Sequence, residues 1–348
     1  MRRAGLARRG SPALCSAVTS HLPDAAPTNW VDRLAPAGLR PWLKLGRFDR
    51  PTGIWLLMLP GWQGIALSAA IQGGWPDPVL LAKFALGAAL MRAAGCAYND
   101  IVDRDVDARV ARTARRPIPA GEISVRGAWG FLIGCALGGL GILLSLNILS
   151  LFLGVASLAL VAGYPFMKRI TWWPQAWLGL TFNWGALLGY AAARGGPSSA
   201  NVLTLTLGAW ASGYNLSVVT PGLPYGSVLL YAACIAWTLG YDTIYAVQDL
   251  EDDALAGVKS SARRLGSAVP TAVMGFYLAS ALLVLATWWA CGLGPLFLPF
   301  GFLFGVNLAN QAIKVRVDDP IGALQLFKSN TLAGALLFAA LVAGHWHG

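Results

Sequence analysis

The sequence predicts an all-α polytopic membrane protein with about nine transmembrane helices. Hydrophobic residues make up 56% of its 348 positions and charged residues only 12%, with a mean hydropathy of +0.57, far from the composition of a soluble domain. Apolar stretches follow one another from Pro51 to the C-terminus, and a hydrocarbon core of roughly 30 Å needs about 20 such residues per helix. The basic residues behind the net charge of +10 lie between those stretches, as they do in loops on the positive side of a membrane protein. Disorder, a secreted disulfide scaffold and a nucleic-acid-binding domain are disfavoured. The five cysteines are odd in number, scattered, and without metal-site or redox spacing.

Residues 1–39 read as a basic N-terminal arm, with Arg2, Arg3, Arg8 and Arg9 and no acidic residue before Asp24. That composition suits either a solvated tail or an Arg-rich mitochondrial targeting segment. The tail is preferred, and nothing in the stretch is apolar enough for a signal-peptide core. Residues 40–348 form the transmembrane domain. Its spans are read at 51–71, 78–98, 128–147, 148–166, 175–194, 228–247, 269–290, 293–311 and 330–346, each near the length a crossing needs.

A tenth stretch, 202–219, is interrupted at Ser212-Gly213-Tyr214-Asn215 and followed by Pro221 and Pro224. With nine crossings, the loops holding Arg104, Arg109, Arg112, Arg115, Arg116, Arg126, Lys168, Arg169, Lys259, Arg263, Arg264, Lys314, Arg316 and Lys328 all fall on one side. A tenth crossing would move the last two basic loops to the other side. Residues 195–227 are therefore read as an extracytoplasmic insertion.

Of 16 acidic residues, nine fall in two windows. The first, at the end of the second span, runs from Asn99 to Asp107. Asn99, Asp103 and Asp107 are spaced i, i+4, i+8, which places them on one face of a helix continuing out of the membrane. The second runs from Tyr241 to Asp253, with Asp242, Asp249 and Asp253 at i, i+7, i+11. Nine crossings put both windows on the same side. Uncompensated carboxylates repel one another, so a divalent cation is the expected counter-charge. Oxygen-only ligands favour Mg²⁺, which holds few carboxylates and completes its shell with substrate phosphates. Arg112, Arg115 and Arg116 after the first window, and Lys259, Arg263 and Arg264 after the second, suit the rest of a diphosphate. A diphosphate at the interface with its hydrocarbon in the bilayer is a polyprenyl diphosphate.

These residues carry a resemblance. Asn99-Asp100-x-x-Asp103-x-x-x-Asp107 with Arg112-Thr113-Ala114-Arg115-Arg116-Pro117, and Tyr241-Asp242-Thr243-Ile244-Tyr245-Ala246-x-Gln248-Asp249-x-x-x-Asp253 with Gly257-Val258-Lys259-Ser260, closely resemble the UbiA family of membrane prenyltransferases. Asp49-Arg50-Pro51-Thr52-Gly53, Met91-Arg92-Ala93-Ala94-Gly95-Cys96, Tyr164-Pro165-Phe166-Met167-Lys168-Arg169 and Gly179-Leu180-Thr181-Phe182-Asn183-Trp184-Gly185 extend it over about 40–345. The stretch 195–227 exceeds the family's usual connection there, and Thr52 stands where isoleucine is common.

The resemblance implies nine helices around a central cavity. It implies Mg²⁺-dependent transfer of a polyprenyl group from polyprenyl diphosphate to the ring carbon ortho to the hydroxyl of 4-hydroxybenzoate, in ubiquinone synthesis. By motif position, Asn99, Asp103 and Asp107 would bind one Mg²⁺ and Asp249 and Asp253 another, while Arg116 and Lys168 contact the diphosphate. Asp242, seven residues and about 10 Å deeper at ~1.5 Å per residue, would orient the acceptor or balance the cation. The alternatives are another aromatic acceptor, such as homogentisate, a naphthoate or haem, and, from a different class, a cation-coupled transporter, which would spread its acids through the membrane depth.

A guanidinium within a span costs about 2.5–3.5 kcal/mol on insertion scales, so Arg92 should face the cavity and hold the benzoate carboxylate, or else pair with a motif aspartate. Arg47 and Lys44 read as interface anchors, and Trp172 and Trp173 as part of the aromatic belt. The expected location is a bacterial inner membrane with the active site facing the cytoplasm, the alternative being the mitochondrial inner membrane with the site facing the matrix.

Overall fold

The computed structural model describes residues 29–109, 113–194, 223–250, 254 and 257–346. Two short helices, α1 (Trp30–Leu34) and α2 (Arg40–Leu45), precede the first long one. The long helices are α3 (Thr52–Ile71), α4 (Pro78–Asp107), α5 (Val125–Leu144), α6 (Ile148–Ile170), α7 (Pro174–Arg194) and α8 (Tyr225–Ala246). After the short α9 (Ser261–Leu265) come α10 (Val269–Ala290), α11 (Phe297–Lys314) and α12 (Pro320–Ala343). Among the described residues, seven spans are long and apolar enough to cross a membrane; α7 and α11 are long enough and fall short in hydropathy. The shortfall has a local cause, since α7 spends Gln175 and Asn183 on inward contacts and α11 does so with Gln311.

Helix starts are written in the sequence. Asp77 caps α4, accepting from the Val79 N–H at 2.8 Å with Pro78 as first helical residue. Asn147 caps α6 through the Ser150 N–H at 2.9 Å, and Asp319 caps α12 through the Gly322 N–H at 2.8 Å. Such caps satisfy N–H groups that the first helical turn leaves without partners. Two helices outrun their apolar spans. α4 continues nine residues past 98 because its acidic last turns are neutralised by neighbouring cations. α12 starts ten residues before 330, where Asp319 caps it and Pro320 is its first residue; Lys328 and Ser329 within this stretch interrupt an apolar count. Residues 29–39, assigned to the arm from sequence, carry α1, whose Val31 is fully buried.

Packing divides the molecule into a solid part and a hollow part. α3 and α7 meet backbone to backbone: a Cβ on Gly64 would lie 2.0 Å from the Ala186 carbonyl oxygen, and one on Gly189 2.2 Å from that of Gly61. Small residues permit such approach in membranes, where van der Waals contact substitutes for the hydrophobic drive between helices. α8, α10, α11 and α12 add a core centred on Trp237, Tyr241, Tyr277 and Phe304. Four of its polar side chains satisfy one another, as lipid surroundings favour. Trp237 Nε1 donates to Asn330 Oδ1 at 2.7 Å, while Asn330 Nδ2 and the Tyr277 hydroxyl donate to Gln311 Oε1 at 2.8 and 2.7 Å. On the other side, α4, α5 and α6 surround a cavity against α3 and α7.

The helix ends are tied to their neighbours. Asn147 Nδ2, at the start of α6, donates to the Ala191 carbonyl near the end of α7 at 2.7 Å, and Gly226, in the first turn of α8, lies against Cys291 at the end of α10. Asp107 at the end of α4 and Asp249 just after α8 line one pocket, so both acidic windows share one end of the bundle. Residues 195–222, most of the predicted insertion, lie outside the described residues.

Candidate active site

α4 carries Asn99, Asp100, Asp103 and Asp107 within its last turns. Asp100, Asp103 and Asp107 are 0%, 1% and 6% exposed, so each requires a counter-charge. Arg116, from the loop after α4, donates through Nη1 to Asp107 Oδ2 at 2.6 Å and to Asp100 Oδ1 at 3.2 Å. Lys168, at the end of α6, is in direct contact with Asp103 Oδ2, and Arg169 Nη2 reaches Asp103 Oδ1 at 3.0 Å. The basic residues assigned to the diphosphate therefore neutralise the acids assigned to the metal.

Arg47 corrects its sequence reading. It is no interface anchor: it is 8% exposed, its Nη2 donates to both oxygens of Asp100 at 2.7 and 2.8 Å, and its φ of 61° is left-handed. A non-glycine residue there carries of order 1 kcal/mol of strain, which the buried ion pair offsets. The 53-residue separation leaves no sequence signal for the pair. Lys44 pairs with Asp32 at 2.8 Å, both partly exposed.

The second window is helical only to Ala246; Val247–Asp249 is a 3₁₀ turn. The tighter winding rotates Asp249 away from the α-helical position assumed in the i, i+7 spacing. Asp242 and Asp249 nevertheless line one vestibule, with Asn99, Asp107, Arg116, Lys168 and Lys259. Asp103 is not in that wall. Asp253 and Arg112 lie outside the described residues. Lys259 is held by its backbone N–H on the Lys168 carbonyl at 3.0 Å and by Nζ on the Ile170 carbonyl at 3.1 Å. Arg263 turns away, over the Trp172 ring at 5.5 Å.

The vestibule holds about 230 Å³ and abuts a chamber of about 670 Å³. Asn99, Arg116, Tyr164, Asp242 and Tyr245 stand in both walls. Away from this junction the chamber is apolar, with Leu137, Leu140, Leu143 and Val155 among its walls. Arg92 faces the chamber, as its insertion cost demanded. Its guanidinium lies over the Phe182 ring at 5.2 Å and against Gly53, where a Cβ would meet Nη2 at 2.8 Å. Its buried Nε has no hydrogen-bond partner among the described residues, and no ion pair links it to a motif aspartate there.

Among the described residues, no three acidic, histidine or cysteine side chains converge closely enough to hold a metal ion. The donor chemistry nonetheless suits Mg²⁺: the vestibule offers carboxylate and amide oxygens and no sulfur or imidazole. The side chains of Asn99 and Asp242 reach it without a hydrogen bond among the described residues, which is how polar groups awaiting a ligand stand.

Comparison with known proteins agrees with this architecture. A sequence profile of the UbiA prenyltransferase family matches residues 57–333. The mitochondrial 4-hydroxybenzoate polyprenyltransferase of Aedes aegypti is 44% identical over 313 residues, covering 87% of this chain and 63% of that protein. The Bos taurus protein of the same name is 42% identical, covering 89% and 77%. Among solved structures, the apo structure of a UbiA homolog from Aeropyrum pernix K1 superposes with a TM-score of 0.64 at 24% identity, covering 83% of this chain and 96% of that one. A UbiA homolog from Archaeoglobus fulgidus bound to GPP and Mg²⁺ superposes with a TM-score of 0.55 at 18% identity, covering 86% and 99%. With the motifs, the helical architecture and the profile in agreement, the chain belongs to the UbiA prenyltransferase family.

Proposed function

We propose that the chain transfers a polyprenyl group from polyprenyl diphosphate to the ring carbon ortho to the hydroxyl of 4-hydroxybenzoate, releasing diphosphate, in ubiquinone biosynthesis. One observation carries the reading. The charged vestibule and the apolar chamber share Asn99, Arg116 and Asp242 in their walls, so a diphosphate in the first has its hydrocarbon in the second. The names of the relatives support the acceptor, and Arg92 in the chamber suits its carboxylate.

Asn99, Asp103 and Asp107, with Asp249 and Asp253, would hold Mg²⁺, which when bound neutralises charge growing on the departing diphosphate. The metal-bound relative supports that choice. Arg116 and Lys168 donate charge-assisted hydrogen bonds to the phosphate oxygens as the allylic C–O bond breaks and its electron pair leaves with the diphosphate. Arg92 holds the acceptor carboxylate over Phe182, and Asp242 orients the ring and balances positive charge on the allylic carbon. That carbon bonds to the ring, and loss of the ring's ortho proton to the released diphosphate restores aromaticity. The apolar walls keep water from capturing the cation first.

All nine long helices cross the membrane in this reading, with residues 195–227 an insertion on the face opposite the site. The relatives described above are animal proteins named as mitochondrial. They support a mitochondrial location, which in this reading is the inner membrane with the site facing the matrix, and lend nothing to the bacterial location preferred from sequence. The test is incubation of the purified chain in detergent with Mg²⁺, radiolabelled polyprenyl diphosphate and a panel of 4-hydroxybenzoate, homogentisate and a naphthoate. Label entering 4-hydroxybenzoate is expected; label entering only another acceptor, or none, overturns the assignment.

A further inference from the structure

We infer that Asp100 is a positioning residue for the diphosphate, acting through Arg116, and that Arg47 is the counter-charge that fixes it; the inference rests on the diphosphate reading above. Asp100 is fully buried and belongs to neither proposed metal set. Its two oxygens take Arg47 Nη2 at 2.7 and 2.8 Å, and Oδ1 also takes Arg116 Nη1 at 3.2 Å. Arg47 is itself held, its Nη1 donating to the Lys44 carbonyl at the end of α2 at 2.9 Å, and its left-handed backbone aims the side chain inward. The carboxylate is therefore gripped from the α2–α3 corner on one side and spends its remaining capacity on Arg116.

Arg116 stands at the junction, in the walls of both vestibule and chamber. Its contacts with Asp100 and Asp107 both run through Nη1. Among the described residues Nε and Nη2 carry no hydrogen bond, and a guanidinium presents its donors in a rigid fork suited to phosphate. The Asp107 partner lies on the vestibule wall, and the Asp100 partner, fully buried, lies on the chamber side. Diphosphate oxygens entering the vestibule meet the open side of the fork while Asp100 holds the other, so the arginine is oriented before the ligand arrives. A freely rotating Arg116 would have to be ordered at each binding event.

The test compares the full chain with an Asp100→Asn/Arg47→Gln variant, which removes both charges together and leaves no buried ion alone. Calorimetric titration with magnesium pyrophosphate and both KM values are read. About a tenfold loss of pyrophosphate affinity is expected, with a matching rise in KM for polyprenyl diphosphate and an unchanged KM for 4-hydroxybenzoate. Adding the pair of substitutions to Arg116→Gln should cost nothing further, because the effect travels through Arg116. Unchanged pyrophosphate affinity, or losses that add to that of Arg116→Gln, would overturn the inference. If the double variant is not recovered folded, Asp100→Glu, which keeps the charge and displaces the carboxylate, gives the same comparison. A wild-type chain that binds no pyrophosphate would instead sink the diphosphate reading itself.

Discussion

Lys168 on α6 and Asp103 on α4 are joined directly, and Arg169 closes on the second oxygen of the same carboxylate at 3.0 Å. The contact ties two helices that flank the chamber, and it neutralises an acid that is 1% exposed. In the proposed function, a metal held by Asp103 would compete with these cations and free Lys168 for the phosphate. Activity is therefore expected to vanish in EDTA and to return with Mg²⁺; full turnover in chelator contradicts the mechanism. Asp103→Asn and Asp249→Asn are each expected to remove most activity, with the protein still inserted and monodisperse in detergent.

The role proposed for Arg92 is to hold the acceptor and not the diphosphate, and the two substrates' KM values separate these. With its guanidinium over Phe182 and its Nε without a partner, Arg92→Lys replaces a planar fork by a point charge. Losing one charge-assisted bond is worth about 1.5–3 kcal/mol, a rise of roughly ten- to hundredfold in the KM for 4-hydroxybenzoate. The KM for polyprenyl diphosphate should hardly move. A mutant with the opposite pattern would show that Arg92 serves the diphosphate.

What could be read from the sequence follows physical rules about distance along the chain. The i, i+4, i+8 spacing of Asn99, Asp103 and Asp107 is local, and α4 does run unbroken to Asp107. The single face drawn through Asp242 and Asp249 failed in detail because a 3₁₀ turn intervenes, and nothing in Val247-Gln248-Asp249 announces it. Arg47 was misread because its partner is 53 residues away and its value lies in a backbone angle. The first ten residues of α12 were left out of the apolar span because Lys328 and Ser329 interrupt it, although Asp319 and Pro320 mark the helix start. The acidic and basic residues of the two windows were legible as groups along the chain, whereas the identity of each one's partner in the fold was not.

Topology yields a prediction independent of catalysis. Single cysteines at Glu122 and Lys259, in a background lacking the native cysteines, are expected to react with an impermeant maleimide from one face of sealed vesicles. One at Gln72, after α3, should react from the other. Labelling of Glu122 and Lys259 from opposite faces would require an extra crossing within 195–222 and would separate the two acidic windows.

The last prediction concerns the wall on which the chamber rests. Gly64 on α3 allows Ala186 of α7 to approach so closely that an added Cβ would sit 2.0 Å from its carbonyl oxygen, with the Tyr190 nitrogen at 2.8 Å. Both obstacles are backbone, so no side chain can swing aside, and substitution must move one helix. Gly64→Ala is therefore expected to destabilise the protein by about 1–3 kcal/mol, the usual range for overpacking, and Gly64→Leu by more, measured as a fall in the thermal midpoint in detergent. Gly95→Ala is the matched control: it lies on α4 beside the chamber and has open space where a Cβ would go, so its midpoint should stay near that of the parent. Equal losses from Gly64→Ala and Gly95→Ala would mean that helix flexibility, and not backbone contact between α3 and α7, makes glycine necessary at position 64.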